Sequence, residues 1–282
     1  PRPHARPRAR PPAHARPRTP PAPSTPHTPT RALIPEFRAG FPDHHSSLRL
    51  GGVELLKELL ASDPSVPRLT FYDETTGGRT DLSAVTLDNW ASKIGNMLHD
   101  EFDLEAGDTA WIDLPPIWTS ACLVLGAERA GIEFSDADPL VVFTTVGKLS
   151  EWEERYPDAY LAAVTDDAFG RGVVECGGEI PPGVVDFGPE VRLHPDGYLG
   201  MGPEDGQPLI GGRTPSELVR EARARADEAG LDAGARVISA GWADGSPGAE
   251  GWMNAVLTPW SVGGAAVIVR GADEERMARI AD

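Results

Sequence analysis

The sequence predicts an α/β fold of two stacked αβ subdomains with largely parallel sheets. Three observations carry that prediction. Short apolar runs recur at Leu140–Thr145, Ala159–Val164, Arg236–Ala240 and Ala265–Arg270. Segments of helical periodicity stand among them, and strands that alternate with helices form parallel sheets through right-handed crossovers. One unit also occurs twice. LEAGDTAWIDL (Leu104–Leu114) and LDAGARVISA (Leu231–Ala240) both read as helix end, turn and strand, and a helix follows each.

Taken in order, the elements begin after a long irregular segment. Residues 1–30 are mostly Pro, Arg, Ala, His and Thr, with no apolar period to offset the entropy of ordering them. Residues 1–47 are therefore expected to be disordered, and residues 48–282 to form the folded part. Three readings fit the leading segment, which starts without Met: a basic arm for anionic partners, a Pro-rich linker, or a gene start placed too far upstream. VELLKELL (Val53–Leu60) reads as a short amphipathic helix. Arg68–Ser83 reads as a hairpin turning at Thr75–Gly78. Leu87, Trp90, Ala91, Ile94, Met97 and Leu98 then share one helical face. Thr109–Leu114 is a strand, and a helix runs from about Pro116 to Arg129, with Gly131 as its stop. Leu140–Thr145 and Ala159–Val164 follow as buried strands. Residues 166–212 are rich in Gly and Pro and poorly periodic. At Thr214 the tetrad T-P-S-E supplies an N-cap, Pro at the first helical position and Glu at the third, which is a capping box. That helix is expected to reach Ala229. A strand (Arg236–Ala240), a helix (Gly248–Trp260), a strand (Ala265–Arg270) and a short last helix complete the chain.

Composition narrows the function. The net charge is −17, yet residues 1–35 hold seven Arg and no acid, so the rest carries the whole acidic excess. Such a body repels phosphates, which argues against nucleic acid as a partner. Cys122 and Cys176 form no C-x-x-C pair or Cys/His cluster, so no zinc site or disulfide framework is expected. Cys122 lies in an apolar helix and reads as a small core residue. No run approaches the roughly 18 apolar residues of a membrane span, and no signal peptide is evident. No membrane is expected as a partner, and the expected location is cytoplasmic.

Between Leu69 and Gly131 the chain resembles the opening of the adenylate-forming enzymes, which include acyl-CoA synthetases, luciferases and nonribosomal adenylation domains. The residues that carry the resemblance are Leu87 and Asp88 at a helix start, Gly107 and Asp108 before a strand, Leu114 and Pro115 at its end, and Ala130 and Gly131 closing the next helix. GGAAVIVR (Gly263–Arg270) resembles the strand that follows the family's phosphate loop. A closer resemblance is to a small family of high-GC Gram-positive bacteria that is itself similar to AMP-binding enzymes. Its matching stretches are DADP (Asp136–Pro139), VVFT (Val141–Thr144), Pro181–His194 and Gly212–Val219. The resemblance implies the large N-terminal domain of the adenylate-forming fold, in shortened form. The extra helix that the larger family places between Gly131 and Leu140 has no room here.

The resemblance also implies a place for chemistry. Adenylation needs a Ser/Thr/Gly loop ending in Pro-Lys-Gly, whose N–H groups, hydroxyls and Lys hold the phosphates of ATP. That loop would stand just before Thr214. The residues there are GMGPEDGQPLIGGR, with no Ser or Thr between Gly200 and Arg213. Glu204 and Asp205 oppose a triphosphate, and Pro203 and Pro208 offer no N–H. A Walker loop fails by one residue of spacing and by Arg213 in place of Lys. Gly211, Gly212, Arg213 and Thr214 still open a helix and are the candidate site for a weakly held anion, against the plainer reading of a connector. The family's adenine, ribose and catalytic-lysine motifs would lie beyond Asp282.

Other chemistry has weaker support. His44, His45, His99 and His194 stand near acids at most and form no Ser/His/Asp or Cys/His pattern. Asp113, Asp136 and Asp138 are expected near strand ends, where α/β proteins place ligands. The competing reading of SDADP is a turn that bonds its own backbone. Trp90, Trp118, Trp252 and Trp260 are expected in the core, while Trp242 could line a cleft mouth. The expected protein is therefore a non-catalytic relative that binds a small ligand or a protein partner, with no metal and no cofactor. The alternative is a carboxylate-activating ligase using ATP and Mg2+ at an atypical site or one completed by another chain. An unrelated nucleotide or CoA binder is a third reading. A cleft filled by residues 166–212 would favour the first, and an open basic cleft the other two.

Overall fold

The computed structural model describes residues 53–241 and 250–281. A 3-10 turn (Glu54–Leu56) leads into α1 (Lys57–Ser62), and β1 (Pro67–Asp73) and β2 (Gly78–Ser83) form the expected hairpin. Then come α2 (Ala84–Asp100), β3 (Thr109–Asp113), α3 (Trp118–Ala130), β4 (Glu133–Phe134), β5 (Val141–Thr144), α4 (Leu149–Arg155), β6 (Tyr160–Ala163), β7 (Val184–Asp186) and α5 (Phe187–Val191). The last third holds α6 (Pro215–Glu228), β8 (Arg236–Ser239), α7 (Glu250–Trp252), a π turn (Met253–Leu257), α8 (Thr258–Ser261), β9 (Ala265–Arg270) and α9 (Glu274–Ala281).

The strands form two sheets. One has the order β2-β1-β9-β8 and the other β4-β3-β5-β6-β7. The second sheet is parallel throughout, and only the hairpin pair is antiparallel in the first. Alternation along the strands sorts the layers. Ala110, Ile112, Val141 and Phe143 point inward to one continuous core, which also takes Leu69, Phe71, Ala266 and Ile268 from the other sheet. Val142, Leu161 and Ala163 point outward under Leu149 and Trp152 of α4. Val267 and Val269 point outward under Ile280 and Met277 of α9. The layers thus run α9, sheet, central helices, sheet, α4.

α3 is the centre of this stack. Twelve of its thirteen residues are buried, as for a helix enclosed on all sides. It ends where Gly131 takes a left-handed φ of 74°. There the Gly131 N–H donates to Glu128 O and the Ile132 N–H to Ala127 O, a Schellman closure. α2 lies across it, capped by Ser83, whose Oγ accepts the Thr86 N–H at 3.2 Å. The helices meet at Gly126, where a Cβ would stand 2.3 Å from Ile94 Cγ2.

The sequence echo is structural. Gly107 and Gly234 both adopt positive φ, 100° and 79°. Each N–H then reaches the end of the next helical segment, Gly107 to Gly131 O and Gly234 to Val262 O, both at 2.8 Å. The two copies place β3 and β8 in different sheets. No additional helix stands between Gly131 and Leu140, where β4 and a turn fill the gap.

Several elements differ from the expectation. α4, β4, β7 and α5 are too short to show a period, and β7 and α5 lie in the stretch read as poorly periodic. The helix expected over Gly248–Trp260 is interrupted by a π turn just before Pro259, whose ring cannot donate back along the helix. Trp118, Trp252 and Trp260 are core, while Trp90 is only partly buried and meets Trp118 edge-on at 5.0 Å. Cys122 is fully buried, which pushes its thiol far up. His44, His45, Trp242 and the segment 1–47 lie outside the described residues.

Candidate functional site

The stretch before α6 is a tight turn. Leu209 and Ile210 are buried, and Ile210 bridges to Phe134 as an extra rung beside β4. The chain reverses through Gly211 and Gly212, with φ of 57° and 74°, and the Arg213 N–H returns to Ile210 O at 3.1 Å. Two successive left-handed residues are what a type I′ reversal needs, which explains the paired glycines by backbone geometry.

The N–H groups of Gly212, Arg213 and Thr214 are engaged by the protein's own acceptors. The Gly212 N–H donates to Glu133 Oε1 at 2.9 Å. The Thr214 N–H donates to Glu217 Oε2 at 3.0 Å, and the Glu217 N–H donates to Thr214 Oγ1 at 3.3 Å, completing the capping box. Arg213 Nη1 pairs with Glu221 Oε2 at 2.9 Å, and its Nε donates to Ile210 O at 3.3 Å. The Thr214 bonds hold the Glu217 carboxyl below its ordinary value. The Arg225 bond, with help from Arg213, does the same for Glu221 against the effect of burial. Two ionised carboxylates, joined by Glu133, thus stand around the positive end of α6. Chemically the arrangement caps a helix and fixes a reversal.

The second sheet has its own natural ligand position. α3 returns on its inner face and α4 on its outer face, so the strand order reverses between β3 and β5. α/β sheets bind ligands outside the strand C-termini at such a point. Asp113 ends β3 there, and it accepts Lys148 Nζ at 2.6 Å and Trp152 Nε1 at 2.8 Å. Asp136 and Asp138 do not join it. They precede β5, at the opposite edge of the sheet, in a self-bonded turn: Ser135 Oγ accepts the Ala137 N–H at 3.2 Å, and Asp138 has a φ of 58°.

Residues 165–172, after β6, reach across to the first sheet. Asp166 pairs with Arg270, at the end of β9, at 2.5 Å. The Thr80 hydroxyl donates to Ala168 O, and Gly170 lies so close to Trp118 that a Cβ would stand 2.9 Å from its ring. Burial pushes the Asp167 carboxyl up, but bonds from Arg171 and Phe169 outweigh it and hold it low, which stiffens the loop. These residues occupy space beside the C-terminal ends of β6 and β9 and the N-terminal end of β2.

The two described histidines, His99 and His194, sit in packed surroundings. His99, in the last turn of α2, meets Leu104 O and Tyr198 Oη, each at 2.5 Å. His194 is 9% exposed, with Asp100 at 3.5 Å and Glu190 at 4.0 Å. Among the described residues no group of three or more His, Cys, Asp or Glu side chains is placed to hold a metal, and no helix is long and apolar enough to cross a membrane. The sequence reading missed Glu133 and Glu221 as neighbours of the glycine turn. Only the spacing of Glu221 to Arg225 gave a signal, a helical i,i+4 pair.

No family model matches the sequence. The structure is similar to an acyl-CoA synthetase from Brucella canis, with a TM-score of 0.63 and 18% identity, over 81% of this chain and 44% of that one. It is also similar to acetoacetyl-CoA synthetase from Streptomyces lividans, with a TM-score of 0.61 and 16% identity, over 77% of this chain and 38% of that one. The chain spans less than half the length of either enzyme. A curated protein of Mycobacterium tuberculosis (strain ATCC 25618 / H37Rv), described as a TIGR03089 family protein, is 33% identical over 233 residues. That match covers 80% of this chain and 91% of the relative. The chain therefore belongs to the TIGR03089 family and carries the α/β fold of acyl-CoA synthetase N-terminal domains.

Proposed function

We propose that this chain is an AMP-binding-like domain without adenylation activity of its own, acting through a small ligand or a protein partner. The observation that carries the reading is the state of the turn before α6. Where a phosphate loop would present free N–H groups and a lysine, this turn has the Gly212 and Thr214 N–H groups on Glu133 and Glu217, the Arg213 N–H on Ile210 O and the arginine side chain on Glu221. A triphosphate would have to displace three carboxylates and would meet their charge in doing so. The packing of residues 165–172 beside the strand ends supports the same reading.

The second reading is ATP-dependent carboxylate activation at an atypical site or one completed by another chain. The extent of the fold match to acyl-CoA synthetases favours it. Calorimetric titration of Mg-ATP into the full chain separates the two. No heat from folded protein is expected. Binding tighter than about millimolar, roughly −4 kcal/mol, would overturn the proposal and make the Gly211–Thr214 turn the first segment to mutate.

A further inference from the structure

The strap of residues 192–201 lies on α2 inside out. Backbone polar groups of His194, Gly197 and Leu199 face inward. Lys93 Nζ donates to His194 O at 2.5 Å. Asn96 Nδ2 donates to Gly197 O at 3.0 Å, and Asn96 Oδ1 accepts the Leu199 N–H at 2.9 Å. Tyr198 stacks on His99 in a slot that two glycines keep open. A Cβ on Gly95 would stand 3.0 Å from its ring, and one on Gly200 would stand 2.4 Å from its hydroxyl. Outward, the same strap presents Leu193, Leu199 and Met201 at 78%, 77% and 91% exposure, the most exposed large apolar side chains among the described residues. Folded chains normally bury such groups, and an apolar surface rimmed by polar groups marks an interaction site.

Leu199 and Met201 also form one wall of a groove of about 400 Å3, with Asn96 and His99 at its base and Glu105 and Ala106 opposite. Its lining is acidic: Asp100 and Glu105 both face it and both are exposed, and Glu101 and Asp103 are exposed close by in sequence. The nearby cations are already engaged, Lys93 with Asp196 and Arg129 with Asp88.

We propose that this groove docks a polypeptide segment carrying apolar side chains beside lysine or arginine. Charge selects that occupant. The same groove of a second copy would set like acids against each other, and an anionic bilayer or a nucleic acid would be repelled. An uncharged apolar ligand would leave the acidic lining unanswered.

The test is fluorescence anisotropy of the full chain with three labelled synthetic peptides of equal length. One is an amphipathic Leu/Lys helix, one replaces each Leu with Ser, and one replaces each Lys with Glu. Only the Leu/Lys peptide is expected to bind. Leu199→Ser with Met201→Ser should weaken it about tenfold or more without lowering the unfolding temperature, because both side chains are exposed. Asp100→Asn with Glu105→Gln should weaken it and flatten its salt dependence. Equal binding by wild type and the Leu199/Met201 variant would overturn the proposal, as would equal binding of the Leu/Glu peptide. Self-association of the wild type that the Leu199/Met201 variant abolishes would give the groove to a second copy instead and also overturn it.

Discussion

Glu128 shows how one side chain couples the core to pH. It stands in α3, 6% exposed, and accepts the N–H groups of Glu54 and Leu55, so it caps the first helical turn from inside the protein. Burial pushes its carboxyl up from 4.5 to about 8, against the pull of those two bonds. An acid with a raised folded-state pKa stabilises the fold while it is protonated. That contribution is whole below 4.5 and is lost as pH climbs toward about 8, at roughly 1.4 kcal/mol per pH unit. The wild-type unfolding temperature is therefore expected to fall across this window, and Glu128→Gln, which accepts the same bonds and cannot ionise, should flatten the fall. Parallel profiles for the two proteins would refute it. Thr214→Ala tests a simpler residue effect: losing the cap acceptor of α6 should cost about 1 kcal/mol in denaturant unfolding. Thr214 was legible from T-P-S-E alone, because a cap is a local pattern. Glu128 was not, since nothing in LGAERAG states that a carboxylate there will be enclosed.

At the scale of elements, the crossing of α2 and α3 is the tightest constraint. Gly126→Ala would place a methyl group where Ile94 already stands, at 2.3 Å. Overpacking of this kind costs about 1–3 kcal/mol. Ile94→Val in the same chain should not recover the loss, because the Cβ and Cγ2 in the way remain, and a Gly126→Ala chain as stable as wild type in urea would show that the helices can part. The long elements α2, α3 and α6 were legible because their apolar positions or caps repeat over several turns. The short ones were not. α4 and β7 show too little period to read, and they form because the outer face of a parallel sheet must be covered and its edge extended. The π turn stands just before Pro259, whose missing N–H signals a break in the sequence without stating its form.

The whole described body shares one core, and that has a measurable consequence. Leu69 and Phe71 from one sheet and Ile112 and Phe143 from the other belong to the same buried cluster, with α3 between them. Neither sheet can lose its inner layer alone. Unfolding followed by tryptophan fluorescence and by far-UV circular dichroism should therefore give coincident single transitions. Trp118 and Trp260 report the inner layer and Trp152 the outer one. Two separated transitions would mean that the sheets unfold as independent units.

The sequence by itself determined the class of the fold, the doubled helix–turn–strand unit and the ends of the main helices. These rest on periodicity, left-handed glycines and caps, which act within a few residues. It also showed that the stretch before α6 lacks the hydroxyls and lysine of a phosphate loop. What fills that place was decided only by the tertiary structure. Glu133 comes from the sheet edge and Glu221 from the second turn of α6, and the bridge of Ile210 to Phe134 in β4 brings both to the Gly211–Gly212 turn. The outward-facing strap on α2 has the same origin. Its leucines are plain in the sequence, but which side they face depends on Asn96 and His99, about a hundred residues away in the chain. Burial and charge balance are sums over neighbours that a linear pattern does not name.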